Sequence, residues 1–255
     1  MIQEHARISS VEEIGSNIFR LTFLSPVIAH SALPGQFVNV KAENAVPPLL
    51  RRPFSIFSIE GEDVSIIFNV VGIGTRLLSE KKVGQTLDVL GPLGNGVFPF
   101  AEEGYETAVL VGGGLGVAAF PFLTTRLRGL KKIRTFLGAR SSPFLVRYGL
   151  ENIHIATDDG SEGFRGTVVD LLKQFVRTGA LTQPRIFACG PTPMMRSLAA
   201  YAKEISVPCY LALECDMACG IGLCQGCPVE TTAAEKKYRL VCKEGPVFEA
   251  GEIVF

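Results

Sequence analysis

Near its carboxyl end the chain crowds cysteines into a spacing that few folds can accommodate. Cys219, Cys224 and Cys227 form C-x4-C-x2-C, and Cys242 follows after fourteen further residues. Three thiolates from one tight loop and a fourth from a distant strand are the arrangement of plant-type [2Fe–2S] sites. Gly220 and Gly222 fall between the first two thiols; glycines there let the backbone curl around sulfides and offer them N–H donors. Tetrahedral zinc also takes four thiolates, but zinc sites usually show two C-x2-C knuckles and this pattern is one-sided, which favours the cluster. Cys215 reads as a packing neighbour, because the four-ligand spacing is complete without it, and Cys209 as a core residue of the last strand.

The segment 211–255 has too few apolar residues for a core of its own, so it needs a metal, a cluster or docking on the rest. The 255 residues are about right for two domains plus such an appendage. Seven cysteines suit a reducing compartment in which thiols serve as ligands or packing residues rather than disulfides. Lys plus Arg balances Asp plus Glu at 25 each, without long runs of one sign, which argues against nucleic acid as a partner. The start, MIQEHARISS, lacks the apolar core of a signal peptide, and no apolar run approaches the roughly 20 residues of a membrane span. A soluble, cytoplasmic protein with no integral membrane segment is expected.

Up to about Pro99, six short β-like runs alternate with turn signals, RPFSIFSIE among them, which predicts an antiparallel Greek-key β-barrel over 1–100. One short helix, capped by Thr75, interrupts it before the last run. From Tyr105 the rhythm becomes strand, Gly-rich turn, helix, predicting a Rossmann-like α/β parallel sheet over 101–210. The cluster-binding segment, 211–255, adds two short strands, CPVE and YRLV.

Two motifs in the barrel region point to a bound phosphate group. Arg52-Pro53-Phe54-Ser55 opens a strand, and Gly72-x-Gly74-Thr75 opens the inserted helix. Separately each is ordinary, but together a guanidinium fork and free backbone N–H groups could clamp a pyrophosphate. In the second region Gly112-Gly113-Gly114-Leu115-Gly116 takes a strand into a helix, as approach to a dinucleotide requires, without strict G-x-G-x-x-G spacing. Further strand ends supply Gly138-Ala139-Arg140, Asp158-Asp159 and Cys189-Gly190-Pro191. Cys189 either faces a nicotinamide or is a small buried residue, and the aspartates either bind ribose hydroxyls or form a turn. With only His5, His30 and His154 present, no catalytic acid or base is nominated.

In this order, RPFS, GIGT, VGGGLGVA, CGP and then the cysteine loop, the chain resembles the ferredoxin–NADP reductase superfamily along its length. LECDMACGIGLCQGC is similar to the electron-transfer subunits of class 1B dihydroorotate dehydrogenases. The resemblance implies FAD on the barrel, touched by Arg52, Pro53, Phe54, Ser55, Ile67, Phe68, Asn69, Gly74 and Thr75. It implies NAD in the second domain near Gly113, Gly114, Gly116 and Cys189, and the cluster on Cys219, Cys224, Cys227 and Cys242. It further implies an FMN-containing catalytic subunit as partner, in a two-plus-two heterotetramer of pyrimidine (UMP) biosynthesis. Related NAD(P)H-dependent modules serve hydrogenases, sulfite reductases and transhydrogenases, which stay as the alternative. Arg140 follows the second strand of the nucleotide region, where an acidic residue would favour NAD and an arginine a 2′-phosphate, so NAD rests on the resemblance alone.

Overall fold

A computed structural model describes residues 1–42 and 48–255. In chain order the strands of the first half are β1 (Ile2–Gly15), β2 (Ile18–Leu24), β3 (Phe37–Lys41), β4 (Arg52–Ser55), β5 (Ser58–Glu60), β6 (Asp63–Asn69) and β7 (Thr86–Leu93). Helix α1 (Pro26–Ser31) follows β2, and α2 (Ile73–Ser79) precedes β7. The seven strands form one antiparallel sheet in the order β4-β3-β7-β1-β2-β6-β5. Alternation along β7 sends Leu87 and Val89 inward, toward a core that includes Leu21, Phe23, Val38 and Ile66.

Residues 52–60 form two strands rather than the one expected. β4 and β5 lie at opposite edges of the sheet, so the chain between them carries one edge around to the other. Ile56 donates to Gln36 O at 3.1 Å beside β3, and the next residue, Phe57, donates to Ser65 O at 2.9 Å on β6. An unbroken strand would leave both edges unpaired, and closure removes them. Helix α1 was not expected: of its six residues only Ile28 is buried, too little for a periodic signal. Its start is nonetheless capped, with Ser25 Oγ accepting from Ile28 N at 3.3 Å.

The second half contains β8 (Thr107–Gly113), a 3₁₀ turn over Gly114–Ala119, α3 (Phe120–Leu127), β9 (Lys132–Ala139), β10 (Ile153–Thr157) and β11 (Phe164–Arg165). Then come α4 (Val168–Val176), β12 (Pro184–Cys189), α5 (Thr192–Glu204), β13 (Cys209–Ala212), β14 (Pro228–Glu230), β15 (Tyr238–Leu240) and β16 (Val247–Glu249). The second sheet runs β11-β10-β9-β8-β12-β13-β16, parallel except at β16. Every residue of β8 is buried, as a strand covered on both faces must be. β14 and β15 pair as a separate hairpin in the tail.

The tail is not a separate layer, because β16 completes the α/β sheet beside β13. It is also laced to the barrel's exit: Asn95 donates to Lys243 O at 3.0 Å and Gly96 to Gly245 O at 2.8 Å. A Cβ on Gly94 would stand 2.6 Å from the Pro246 ring, so the two backbones approach more closely than side chains allow. Under the tail, Phe37, Leu93, Val241 and Phe248 make a small core that includes Cys227 and Cys242.

Barrel and α/β unit meet in a continuous core of aromatic rings. Phe98 meets Phe187 edge to face at 5.5 Å, and Phe57 is fully buried in the same cluster. Phe57 O accepts from Phe122 N at 2.8 Å, tying the barrel's closure to α3. Phe57→Ala removes a ring from this shared core and is expected to cost about 3–5 kcal/mol, read as a lower denaturant midpoint.

Candidate functional site

The three units surround one cavity of about 270 Å³. The barrel contributes Phe37, Pro53, Phe54, Ser55, Ile67 and Phe68; the α/β unit contributes Leu115, Ala118 and Cys189; the tail contributes Leu213, Glu214, Cys215, Met217 and Pro246. β4 and β6 bring their candidates together because both strands continue the barrel wall where it closes. Phe68 is held by rings on both sides, stacked on Phe19 at 6.1 Å and tilted against Phe54 at 5.6 Å.

Arg52, Gly74 and Thr75 lie together beyond this cavity. A Cβ on Gly74 would stand 2.6 Å from Arg52 Nε, so the guanidinium rests directly on that glycine. Arg52 otherwise donates only to Leu50 O, and its charge is left without a carboxylate among the described residues. Thr75 caps the helix, as its sequence pattern predicts, from the third helical position rather than as the N-cap residue. Gly72 is the N-cap, and the Thr75 hydroxyl accepts from Val71 N at 3.0 Å and Gly72 N at 3.2 Å while donating to Gly72 O. That hydroxyl is spent on its own turn, leaving Thr75 a backbone role. Asn69, at the end of β6, keeps its side-chain oxygen buried and unpartnered, as an acceptor awaiting a donor would.

A second cavity, of about 380 Å³, lies past the carboxyl ends of β8, β9 and β10. Gly113, Gly114, Arg140, Asp158 and Met194 line it. Gly116 lines neither cavity: a Cβ there would run into the Cys189 carbonyl, so this glycine serves packing between the turn and β12. Cys189 is buried and faces the first cavity, its thiol donating to Glu214 Oε1 at 3.7 Å. Glu214 lines that cavity and keeps part of its surface exposed. Burial raises its carboxyl above the usual range, with the Cys189 contact partly offsetting this. Burial and then the Glu214 charge push the Cys189 thiol well up.

The cysteine loop is built around Cys219, whose sulfur accepts from Cys224 N at 3.3 Å and Ile221 N at 3.5 Å. Burial opposes ionisation, but these N–H groups and that of Leu223 bring the thiol down to about 6. Cys242 is pushed the other way, to about 12, by burial and by the sulfur of Cys227 beside it. Cys227 is also the hydrogen-bond neighbour of Cys215, which burial raises to about 12. Among the described residues no three His, Cys, Asp or Glu side chains close on a common point as ligands of one ion do. The thiols are graded from buried Cys227 and Cys242 through half-buried Cys219 to exposed Cys224. Backbone N–H donors on one sulfur and glycines at positive φ (Gly220 at 70°, Gly222 at 84°) suit a sulfide-bridged cluster.

Two residues missed by sequence reading complete the site. Glu214 lies two positions past Ala212, which pairs with Cys189 across β12 and β13, so that pairing was the available signal. Asn39, buried on β3, donates from Nδ2 to Cys219 O at 3.2 Å and carried no signal at all.

The iron-sulfur cluster binding domain of dihydroorotate dehydrogenase B matches residues 214–254 as a family model. The dihydroorotate dehydrogenase B (NAD(+)) electron transfer subunit of Geobacillus sp. (strain WCH70) is 39% identical over 262 residues, covering 100% of this chain and 99% of that protein. That of Bacillus caldolyticus is 40% identical, with 99% and 98% covered. The chain belongs to this family of electron transfer subunits. Among solved structures, an NADH-dependent reduced ferredoxin-NADP oxidoreductase superposes with a TM-score of 0.85 at 30% identity, covering 98% of this chain and 90% of the other. A ferredoxin reductase of carbazole 1,9a-dioxygenase, at 20% identity and a TM-score of 0.69 over 81% of this chain and 67% of the other, shares the fold.

Membership ties the tail's chemistry to its contact with Asn39. At Gly220 the backbone has positive φ, and a Cβ would run into the Asn39 amide. Gly220→Ala is therefore expected to expel most of the iron and acid-labile sulfide from the purified chain, measured by colorimetric assay, while the flavin stays bound.

Proposed function

We propose that this chain relays electrons between NAD and an FMN-containing dihydroorotate dehydrogenase catalytic subunit, through FAD and a [2Fe–2S] cluster, in cytoplasmic pyrimidine (UMP) synthesis. The observation that carries the reading is a shared wall: Phe37 lines the first cavity and belongs to the same small core as Cys227 and Cys242. Cys215 likewise borders the cavity and touches Cys227. The chain divides into a flavin-binding barrel (1–100), a nucleotide-binding unit (101–210) and a cluster-binding segment (211–255).

Arg52 and the Gly74 and Thr75 backbone would together hold the flavin pyrophosphate, the guanidinium meeting no carboxylate among the described residues. Pro53, Phe54, Ser55, Ile67 and Phe68 hold the ring system against the barrel, and the free Asn69 oxygen accepts a donor from the ligand. Cys219, Cys224, Cys227 and Cys242 bind the irons as thiolates, so loading must drive off the proton that burial keeps on Cys242. Gly113 and Gly114 admit the dinucleotide backbone, while Cys189 and Glu214 border the place where nicotinamide meets flavin. When bound, the flavin converts between the hydride carrier and the single-electron cluster, and the protein supplies position and electrostatics.

The relatives' description as electron transfer subunits supports a catalytic partner, and we assign a two-plus-two complex. No helix is long and apolar enough to cross a membrane among the described residues.

Separate loss of the two resident cofactors is the test. Cys242→Ser is expected to abolish the visible iron–sulfur bands and retain flavin. Arg52→Ala is expected to weaken FAD about 10- to 100-fold, the worth of a charge-assisted hydrogen bond, and retain iron. If either variant, still folded by circular dichroism, lost both groups, the division between barrel and tail would be wrong.

A further inference from the structure

Strand β3 serves two cores at once. Val38 and Val40 belong to the barrel core, while on the opposite face Phe37 joins the small core under the tail and Asn39, only 1% exposed, meets the cysteine loop. β3 also lies beside the RPFS strand, with Phe37 opposite Ser55 and Asn39 opposite Pro53. The strand that borders the flavin motif is therefore the strand on which the cysteine loop rests.

Asn39 is a costly residue for that place. Its Nδ2 donates to Cys219 O at 3.2 Å, but its Oδ1 is buried with no partner among the described residues. An unmet buried acceptor lowers stability, so an apolar side chain would suit this core better, and departures of that kind mark sites of function. Among the described residues no other hydrogen bond crosses from the barrel to 219–227. The contact is also close, since a Cβ on Gly220 would stand 1.9 Å from Asn39 Nδ2. One donor from the barrel thus fixes the Cys219–Gly220 peptide, and Gly220, at a φ of 70°, makes the turn that follows. That turn leaves Ile221 N at 3.5 Å and Cys224 N at 3.3 Å from Cys219 Sγ. N–H groups aimed at a ligand sulfur favour added negative charge there, and so raise the reduction potential of a cluster.

We propose that Asn39 is a positioning residue for electron transfer: from the barrel it holds the Cys219–Gly220 peptide, keeps the loop's N–H groups on the Cys219 sulfur, and thereby sets the potential at which the cluster takes its electron. The inference rests on the reading of Cys219, Cys224, Cys227 and Cys242 as ligands of a [2Fe–2S] cluster.

The experiment is a potentiometric titration of the purified full chain with its cofactors, followed by visible absorption and electron paramagnetic resonance, with iron, sulfide and FAD contents measured alongside. Asn39→Ala is expected to retain FAD and to lower the cluster's potential, so that at a fixed electrode potential the ratio of reduced to oxidised cluster falls about tenfold, which is about 59 mV for one electron. Asn39→His, whose Nδ1 can occupy the place of the amide nitrogen, is expected to restore most of the difference. Asn39→Asp, which turns an acceptor toward the Cys219 carbonyl, is expected to lower the potential at least as far as alanine does. An alanine variant that holds its cluster at the native potential overturns the inference whatever its melting temperature, because a merely structural contact moves stability alone. Should the alanine variant shed its iron, the histidine variant decides: iron held at the native potential supports the inference, and a displaced potential or no iron overturns it. An unmutated chain that shows no iron–sulfur absorption removes the ligand reading itself, and the inference goes with it.

Discussion

Backbone stitching of the tail is the constraint on which the site depends. Residues 211–255 bury too little apolar surface to fold alone, and they are held by main-chain bonds to Asn95 and Gly96 and by β16 in the second sheet. Hydrogen bonds of this kind need fixed partners on both sides, so the thiols cannot shift without disturbing the junction between barrel and α/β unit. That junction is also where the first cavity opens. One set of contacts therefore sets both the cavity's shape and the thiols' distance from it.

Local patterns in the chain announced those parts whose chemistry is local. The cysteine spacing, the glycine turn after β8 and the strand–helix rhythm beyond Tyr105 each reflect a constraint within a few residues. Tertiary requirements stayed silent. The break at Ile56 and Phe57 exists only because two distant edges must meet, and α1 covers the barrel with a single buried isoleucine. Thr75 and Gly116 both sit at turns, where the structure uses one as an internal brace and the other for close packing. Asn39 is one polar residue inside an apolar strand, and nothing near it in sequence says that a loop 180 positions later will lie on it.

Charge is distributed across the site by depth. Cys219 sits among N–H donors that favour its thiolate, while Cys242, deeper and crowded by another sulfur, holds its proton until a cation displaces it. Cys189 is buried on the cavity side, where burial and the Glu214 charge disfavour its thiolate, while Glu214 itself keeps part of its surface exposed. Arg52 is the opposite case, a cation that meets no carboxylate among the described residues.

The grading of the cysteine ring from interior to surface has a further consequence. Cys227 and Cys242 are sealed behind Phe37, whereas Cys224 and its neighbour Leu223, 76% exposed, stand at the rim. A redox centre mounted this way resembles a cable insulated along one side and stripped at its tip. A cluster on these thiols would be screened by protein beside Cys227 and Cys242 and open to solvent beside Cys224.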